Sequence, residues 1–270
     1  MRILILSIDG RIADYFEFAK ALASFGVEAI CLQSSKYCYL ETRPLNIVPS
    51  PRFLKLIKRF DPDFVLTDSS YYVPQMAKLV GRRLLLHLRC NPWNELNFDG
   101  AMHPSFFVRM YNRYLAATAE RSFREVDLIL PNSKWLEKQV REHLQNRPSQ
   151  VLYVGIDPKN WDPRKNTRSS TTLNLEHPAV VGVFPFNQYA KVSGLLKFIQ
   201  AIRKMKDVNF YFAGNGPYLS LVRQKCPSNM FLIGKATENE VQSLLESGDL
   251  FIHPSGSDAL PRSVKEASLM

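Results

Sequence analysis

The stretch Phe251-Ile-His-Pro-Ser-Gly-Ser-Asp-Ala-Leu-Pro-Arg-Ser-Val-Lys-Glu-Ala-Ser-Leu-Met270 decides how this chain is read. Residues 250–252 form a short apolar run, read as a strand. A Pro-Ser-Gly-Ser loop follows and carries Asp258. Leu260 leads into Pro261, a residue suited to the first turn of a helix, and Glu266 lies about one turn inside that helix. Two carboxylates and a helix start therefore meet at the carboxyl end of a strand, where open α/β sheets take their ligands. Helix amides accept phosphate, and carboxylates accept hydrogen bonds from hydroxyls. The place suits a ligand with a phosphate at one end and hydroxyls at the other.

Outward from this stretch, apolar strands alternate with amphipathic helices. Strands are expected at 1–7, 28–32, 64–67, 84–88, 127–130 and 151–154. Helices are expected at 13–25, 52–60, 72–80, 105–125 and 133–144. Their apolar runs are continuous rather than alternating, as in strands covered on both faces. Between 157 and 177 the pattern gives way to Pro, Asn, Ser, Thr, Arg and Lys, the composition of a linker. Strands then recur at 180–184, 209–213, 230–233 and 250–252, with helices at 194–205, 218–225, 238–246 and from 261. Strict alternation implies parallel strands joined by right-handed crossovers. The fold expected is α/β, with two Rossmann-like domains facing a cleft: residues 1–160, a linker at 161–177, and residues 178–270. With four strands, the second domain reads as incomplete.

The chain of 270 residues, 46% hydrophobic with 17 Phe and 11 Tyr, has material for two cores. Its four cysteines are scattered, with no C-x-x-C, and so suggest neither a disulfide frame nor a zinc site. The opening apolar run stops at Asp9, too short for a signal-peptide core. No stretch approaches the roughly 18 apolar residues of a membrane span. A cytoplasmic protein is expected, with the inner membrane face as a site of contact. The net charge of +10 divides as +7 over 1–165 and +3 over 166–270. Such a surplus suits anionic lipid, nucleic acid, a phosphorylated substrate or plain solubility.

The frame Asp258-Ala259-Leu260-Pro261-Arg262-Ser263-Val264-Lys265-Glu266 resembles the signature of family 4 retaining glycosyltransferases, which have the GT-B fold. Their pattern is a strand, Pro-Ser, then E-G-L-P, with a second Glu eight positions after the first. The spacing is kept here, with Asp for the first Glu and Ala for the Gly. Four other segments are similar to family segments in the same order. They are Leu152-Tyr-Val-Gly-Ile-Asp157 with Trp161-Asp-Pro, Asp127-Leu-Ile-Leu-Pro-Asn-Ser133, Phe210-Tyr-Phe-Ala-Gly-Asn-Gly-Pro217, and Met230-Phe-Leu-Ile-Gly-Lys235.

The resemblance implies roles. Asp258 would hold the donor sugar's hydroxyls, one methylene short of the family's Glu, and Glu266 the ribose hydroxyls. Lys191 would neutralise charge on the leaving diphosphate. Gly234 and Lys235 would border the nucleoside base, with Leu260 in the phosphate-side loop. In the first domain, Gly10 would let backbone approach the ligand and His87 would stand near the reacting sugar, with Arg89 and Asn91 as helpers. The same residues also fit a plainer account: a turn aspartate, a surface helix glutamate, a solvated lysine and a structural histidine. One departure stands out. The family's Arg after the first strand of the second domain is Val183 here, and Lys cannot imitate an Arg's bidentate grip on phosphate.

The implied activity moves a hexose-type sugar from a nucleoside-diphosphate sugar to a hydroxyl of a glycan or lipid-linked acceptor, with retention. No cofactor and no metal are expected. G-x-G-x-x-G is absent after the first strand, which argues against a dinucleotide enzyme. The aromatic and basic runs at 53–60 and 106–114 suit an anionic membrane surface, and equally a core-facing stripe with wet basic edges. Two rivals remain. One is a non-catalytic relative that binds sugar nucleotide or glycan. The other is a nucleic-acid binder, for which only net charge speaks and which is not expected.

Overall fold

The computed structural model describes residues 1–7, 12–33, 51–68, 81–94, 106–161 and 173–270. The chain divides into two compact units, one holding Met1–Asn97 with Ser105–Gly155, the other Ile156–Met270. Each is an α/β layer structure built on a parallel sheet.

Among the described residues the first unit has five strands: β1 (Arg2–Ser7), β2 (Glu28–Gln33), β3 (Phe64–Asp68), β4 (Arg83–Leu88) and β5 (Leu128–Pro131), in the order β2-β1-β3-β4-β5. All neighbouring pairs are parallel. Leu4, Ile5, Leu6, Val65 and Leu86 are sealed from solvent because helices cover both faces. Among the described residues its helices are α1 (Ile12–Ala23), α2 (Pro51–Phe60), α3 (Phe106–Glu125) and α4 (Lys134–His143). α2 opens on proline and buries Phe53, Ile57 and Phe60 at helical spacing. α4 is capped by the Ser133 hydroxyl, which accepts from the Leu136 amide.

The second unit has β6 (Ala179–Val183), β7 (Asn209–Ala213), β8 (Met230–Gly234) and β9 (Leu250–Phe251), in the order β8-β7-β6-β9. Its helices are α5 (Tyr189–Ile202), α6 (Leu219–Lys225), α7 (Glu238–Ser247) and α8 (Arg262–Ala267). Alternation along β7 sorts side chains between two cores. Phe210 and Phe212 pack with Leu195, Ile199 and Val222 of α5 and α6, while Tyr211 and Ala213 pack with Leu244 and Leu245 of α7. The turn after β7 needs glycine. Gly214 and Gly216 adopt φ of 147° and 154°, and a Cβ at either would strike the carbonyls of Phe184 and Phe186.

Two expected elements differ. The strand at 151–154 does not form. The chain runs beside β5 with one bridge, Ile129 to Ser149, and bonds from the Gln150 and Leu152 amides to the carbonyls of Ile129 and Pro131. The helix expected at 194–205 begins at Tyr189. Gly194 reads as a helix boundary, but it lies inside α5 because backbone from the 254–256 loop packs against it. A Cβ there would come within 2.5 Å of the Pro254 carbonyl oxygen. Lys191, which falls before the helix expected from 194, therefore stands in the first turn of α5. Trp161, at the start of the expected linker, is buried in the second unit's core with Leu175 and Ala179. The helix expected at 72–80 lies outside the described residues.

Candidate functional site

In the second unit the chemistry gathers where β6 and β9 end. β9 runs through Ile252 and His253 into the loop, and Gly256 donates its amide to the carbonyl of Lys191, pinning the loop to α5. This contact carries Lys191 to Asp258. The Lys191 Nζ lies 2.8 Å from Asp258 Oδ1, with the two side chains only 16% and 13% exposed. His253 Nε2 lies 2.9 Å from the other carboxylate oxygen, Oδ2. The imidazole is oriented in turn: its Nδ1 is 3.3 Å from the Ser263 hydroxyl, and its ring rests 5.4 Å from that of Phe184. Burial works against the charged form of Asp258. The His253 hydrogen bond and the Lys191 ammonium outweigh it and hold the carboxyl well below the usual carboxylate range.

Glu266 sits apart from that network. It is 7% exposed and pairs with Arg262 one turn back, Nε to Oε1 at 2.5 Å. Burial pushes its carboxyl up, the Arg262 contact only partly offsets this, and the charge of Glu238 adds to the rise. Gly234 closes β8 in a left-handed conformation, φ 89°, and the exposed Lys235 follows it. Leu260 is half-buried just before the Pro261 N-cap of α8.

The first unit carries its own polar layer at the carboxyl edge of the sheet. His87, 2% exposed at the end of β4, has both ring nitrogens engaged: Nδ1 at 2.8 Å from the Tyr15 hydroxyl and Nε2 at 3.2 Å from the Leu152 carbonyl. The carbonyl only accepts, so Nε2 bears the proton and Nδ1 accepts from Tyr15. This geometry ties β4 to α1 and to the segment beside β5. A bond from His87 to a ligand would have to replace one of these two. Arg89 pairs with Asp14 at 2.5 Å, and the buried Asn91 caps the Asn94 amide. Asp68, fully buried at the end of β3, accepts from the Ser7 hydroxyl at 2.7 Å. Gly10 lies outside the described residues.

Of the expected site residues, the structure joins Lys191 to Asp258 directly and sets Glu266, Gly234, Lys235 and Leu260 within the same unit. Sequence reasoning missed His253, Ser263 and Arg262. His253 stands inside the motif, at the strand end five residues before Asp258, and that position was its signal.

No protein-family profile matches the chain. Among curated proteins it is 23% identical over 251 residues to a sulfoquinovosyl transferase of Arabidopsis thaliana, covering 90% of this chain and 48% of that protein. It is 20% identical over 218 residues to an alpha-galactosylglucosyldiacylglycerol synthase of Streptococcus pneumoniae, covering 76% and 56%. The chain thus spans about half the length of these relatives. Among solved structures, the sucrose-phosphate synthase of Thermosynechococcus elongatus superposes with a TM-score of 0.70 at 14% identity, covering 99% of this chain and 78% of that one. The Anabaena protein HepE, solved with UDP-glucose, gives 0.61 at 16% identity, covering 100% and 78%. Two Rossmann-like parallel-sheet units in tandem, with these neighbours, define the class as the GT-B fold. The two curated proteins it is similar to are both named as enzymes of glycosyl transfer or glycolipid synthesis, and the fold is the one GT-B glycosyltransferases share.

Proposed function

We propose that the chain forms the catalytic part of a retaining glycosyltransferase that moves a hexose-type sugar from a nucleoside-diphosphate donor to a hydroxyl acceptor. The observation that carries this reading is the Lys191–Asp258 pair, 2.8 Å apart in a shielded network at the carboxyl edge of the second sheet. A shielded cation beside a carboxylate suits a ligand that brings phosphate to the one and hydroxyls to the other. On donor binding Lys191 turns to the diphosphate, and Asp258 turns to the sugar hydroxyls. Glu266 takes the ribose hydroxyls, Gly234 and Lys235 border the base, and Leu260 lines the phosphate-side loop.

In transfer, the bond from the anomeric carbon to the diphosphate oxygen breaks and the electron pair leaves with the diphosphate. The acceptor oxygen forms the new bond on the face being vacated, and its proton passes to the departing phosphate oxygen. Lys191 stabilises the charge that builds there. The reading routes no step through a metal or cofactor. In the first unit, Gly10 lets backbone approach the donor and His87 stands near the reacting sugar, giving up one of its two internal bonds.

A lipid-linked acceptor presented at an anionic membrane surface fits the first unit. Phe106, Phe107, Met110 and Tyr114 are 47–75% exposed on the N-terminal half of α3, with exposed Arg113 among them. α3 has 20 residues and spans about 30 Å, longer than β4 or β5, and its first half lies toward the carboxyl edge of the sheet. The printed name of the Streptococcus relative, a diacylglycerol-glycolipid synthase, points the same way. Among the described residues no helix is long and apolar enough to cross a membrane. A second reading, a non-catalytic binder of sugar nucleotide, is favoured by Val183 standing where a phosphate-binding Arg would be.

Isothermal titration with UDP, ADP, GDP and dTDP, repeated with Glu266→Ala, tests the donor site. Selective binding of one nucleotide, weakened about tenfold by the substitution, is expected, as for the loss of one charge-assisted hydrogen bond. Binding of none would end the donor reading. Release of free nucleotide only in the presence of acceptor separates the enzyme from the non-catalytic binder.

A further inference from the structure

His253 has no part in the donor contacts proposed above, yet it is among the most constrained side chains at the site. Its side chain is 6% exposed. It contacts Asp258 Oδ2 at 2.9 Å, the Ser263 hydroxyl at 3.3 Å and the ring of Phe184 at 5.4 Å. Lys191 holds only the opposite oxygen, Oδ1. If Lys191 leaves for a diphosphate, His253 still grips this carboxylate, and its loop is still held by the Ser257 and Asp258 amides, which both donate to the Ser255 hydroxyl. Asp is also one methylene shorter than Glu, so its aim depends more on what grips it.

We propose that His253 is a positioning residue for the donor sugar: its Nε2–H holds Asp258 Oδ2 so that the remaining lone pairs of the carboxylate face the sugar hydroxyls. This rests on the donor reading given above. The chemistry fixes which nitrogen matters. A carboxylate only accepts, so Nε2 carries the proton, and Nδ1 faces Ser263, whose hydroxyl can donate or accept. The bond therefore serves the sugar and not the nucleotide. A histidine that merely filled space between Phe184 and α8 would affect both alike.

Substitution by Gln and Asn separates these cases, because a Gln amide nitrogen reaches the place of Nε2 whereas an Asn amide nitrogen reaches only that of Nδ1. Wild type, His253→Gln and His253→Asn are titrated with the pairs UDP and UDP-glucose, ADP and ADP-glucose, and GDP and GDP-mannose, with thermal unfolding measured alongside. The expected result has three parts. The plain nucleotide binds all three proteins within about twofold. His253→Asn weakens the matching sugar nucleotide by about 10- to 100-fold, the range for a lost hydrogen bond to a charged group. His253→Gln recovers most of that loss. Equal behaviour of the Gln and Asn variants, or equal loss for nucleotide and sugar nucleotide, overturns the positioning role while leaving the donor site standing. A wild type that binds sugar nucleotide no better than nucleotide also overturns it. A wild type that binds none of the six ligands removes the donor reading, and this inference with it.

Discussion

Asp258 and Glu266 stand eight residues apart on either side of the start of α8, and their surroundings drive their protons in opposite directions. Asp258 lies in a loop between two elements, gripped by Lys191 from α5 and by His253 from the end of β9, and is held in its charged form. Glu266 lies within the helix, paired with Arg262 one turn back, and burial raises its carboxyl. Motif spacing sets where two carboxylates fall, but the rest of the fold decides what each is prepared to do. The long-range partners make Asp258 a rigid anion. The local partner leaves Glu266 a softer group, ready to exchange Arg262 for a ligand.

The largest expected effect comes from removing the first grip. Asp258→Ala leaves Lys191 charged and only 16% exposed without its partner, and equilibrium unfolding in urea should show a loss of about 3 kcal/mol. On the function proposed above, sugar transfer should fall by about 100-fold or more in the same variant. The matching change on the other side, Glu266→Ala, removes one contact of Arg262, whose side chain is 43% exposed and can hydrate. A larger stability loss for Glu266→Ala than for Asp258→Ala would break the comparison.

Next comes Gly194→Ala. In a free helix this change gains up to about 1 kcal/mol. Here the new Cβ meets the Pro254 carbonyl oxygen at 2.5 Å and the Gly256 nitrogen at 2.7 Å, and a net loss of about 1–3 kcal/mol is expected from the overpacking. Because the strain falls on the loop carrying Asp258, sugar-nucleotide affinity should fall with it. Stabilisation of the variant would mean that the loop is free to move away from α5.

Opposite pH dependences follow from the two carboxyls. The folded pKa of Asp258 is lowered from an ordinary value of about 4. Its stabilising contribution is therefore complete above that value and is lost as pH falls below it. The folded pKa of Glu266 is raised, so its contribution is complete below about pH 4 and is lost as pH rises through the raised value. Urea midpoints between pH 3 and 8 should show Asp258→Asn flattening the acid side. Glu266→Gln should gain on wild type as pH rises from 4 to 7. The smallest effect belongs to Arg262→Ala, at most about 1 kcal/mol for so exposed a partner. A loss several times larger would show that Glu266 is held as firmly as Asp258.

Much of the fold was legible because buried parallel strands are written as continuous apolar runs, as at Ile3–Leu6 and Phe210–Phe212. Helix ends were legible where chemistry marks them, as at Ser133 and in the Thr237–Glu240 capping box. The start of α5 was not, because Gly194 reads as a boundary until the loop that packs on it is known. The run at 151–154 has strand composition but pairs with β5 through scattered bonds. At the site, spacing marked Asp258 and Glu266, and the resemblance marked Lys191. The grip of Lys191 and His253 on Asp258 was not visible, since nothing local in the sequence records which distant side chain fills a given hydrogen bond.

The bond from the Gly256 amide to the Lys191 carbonyl has a consequence in time as well as space. It joins chain segments separated by three strands and two helices. Closing so long a stretch has an entropic cost that local helices avoid, and contacts of this kind come late in folding. The carboxylate should therefore gain Lys191 only after the second sheet is assembled, so that the complete grip on Asp258 is the last property this unit acquires and a sensitive report that it has folded correctly.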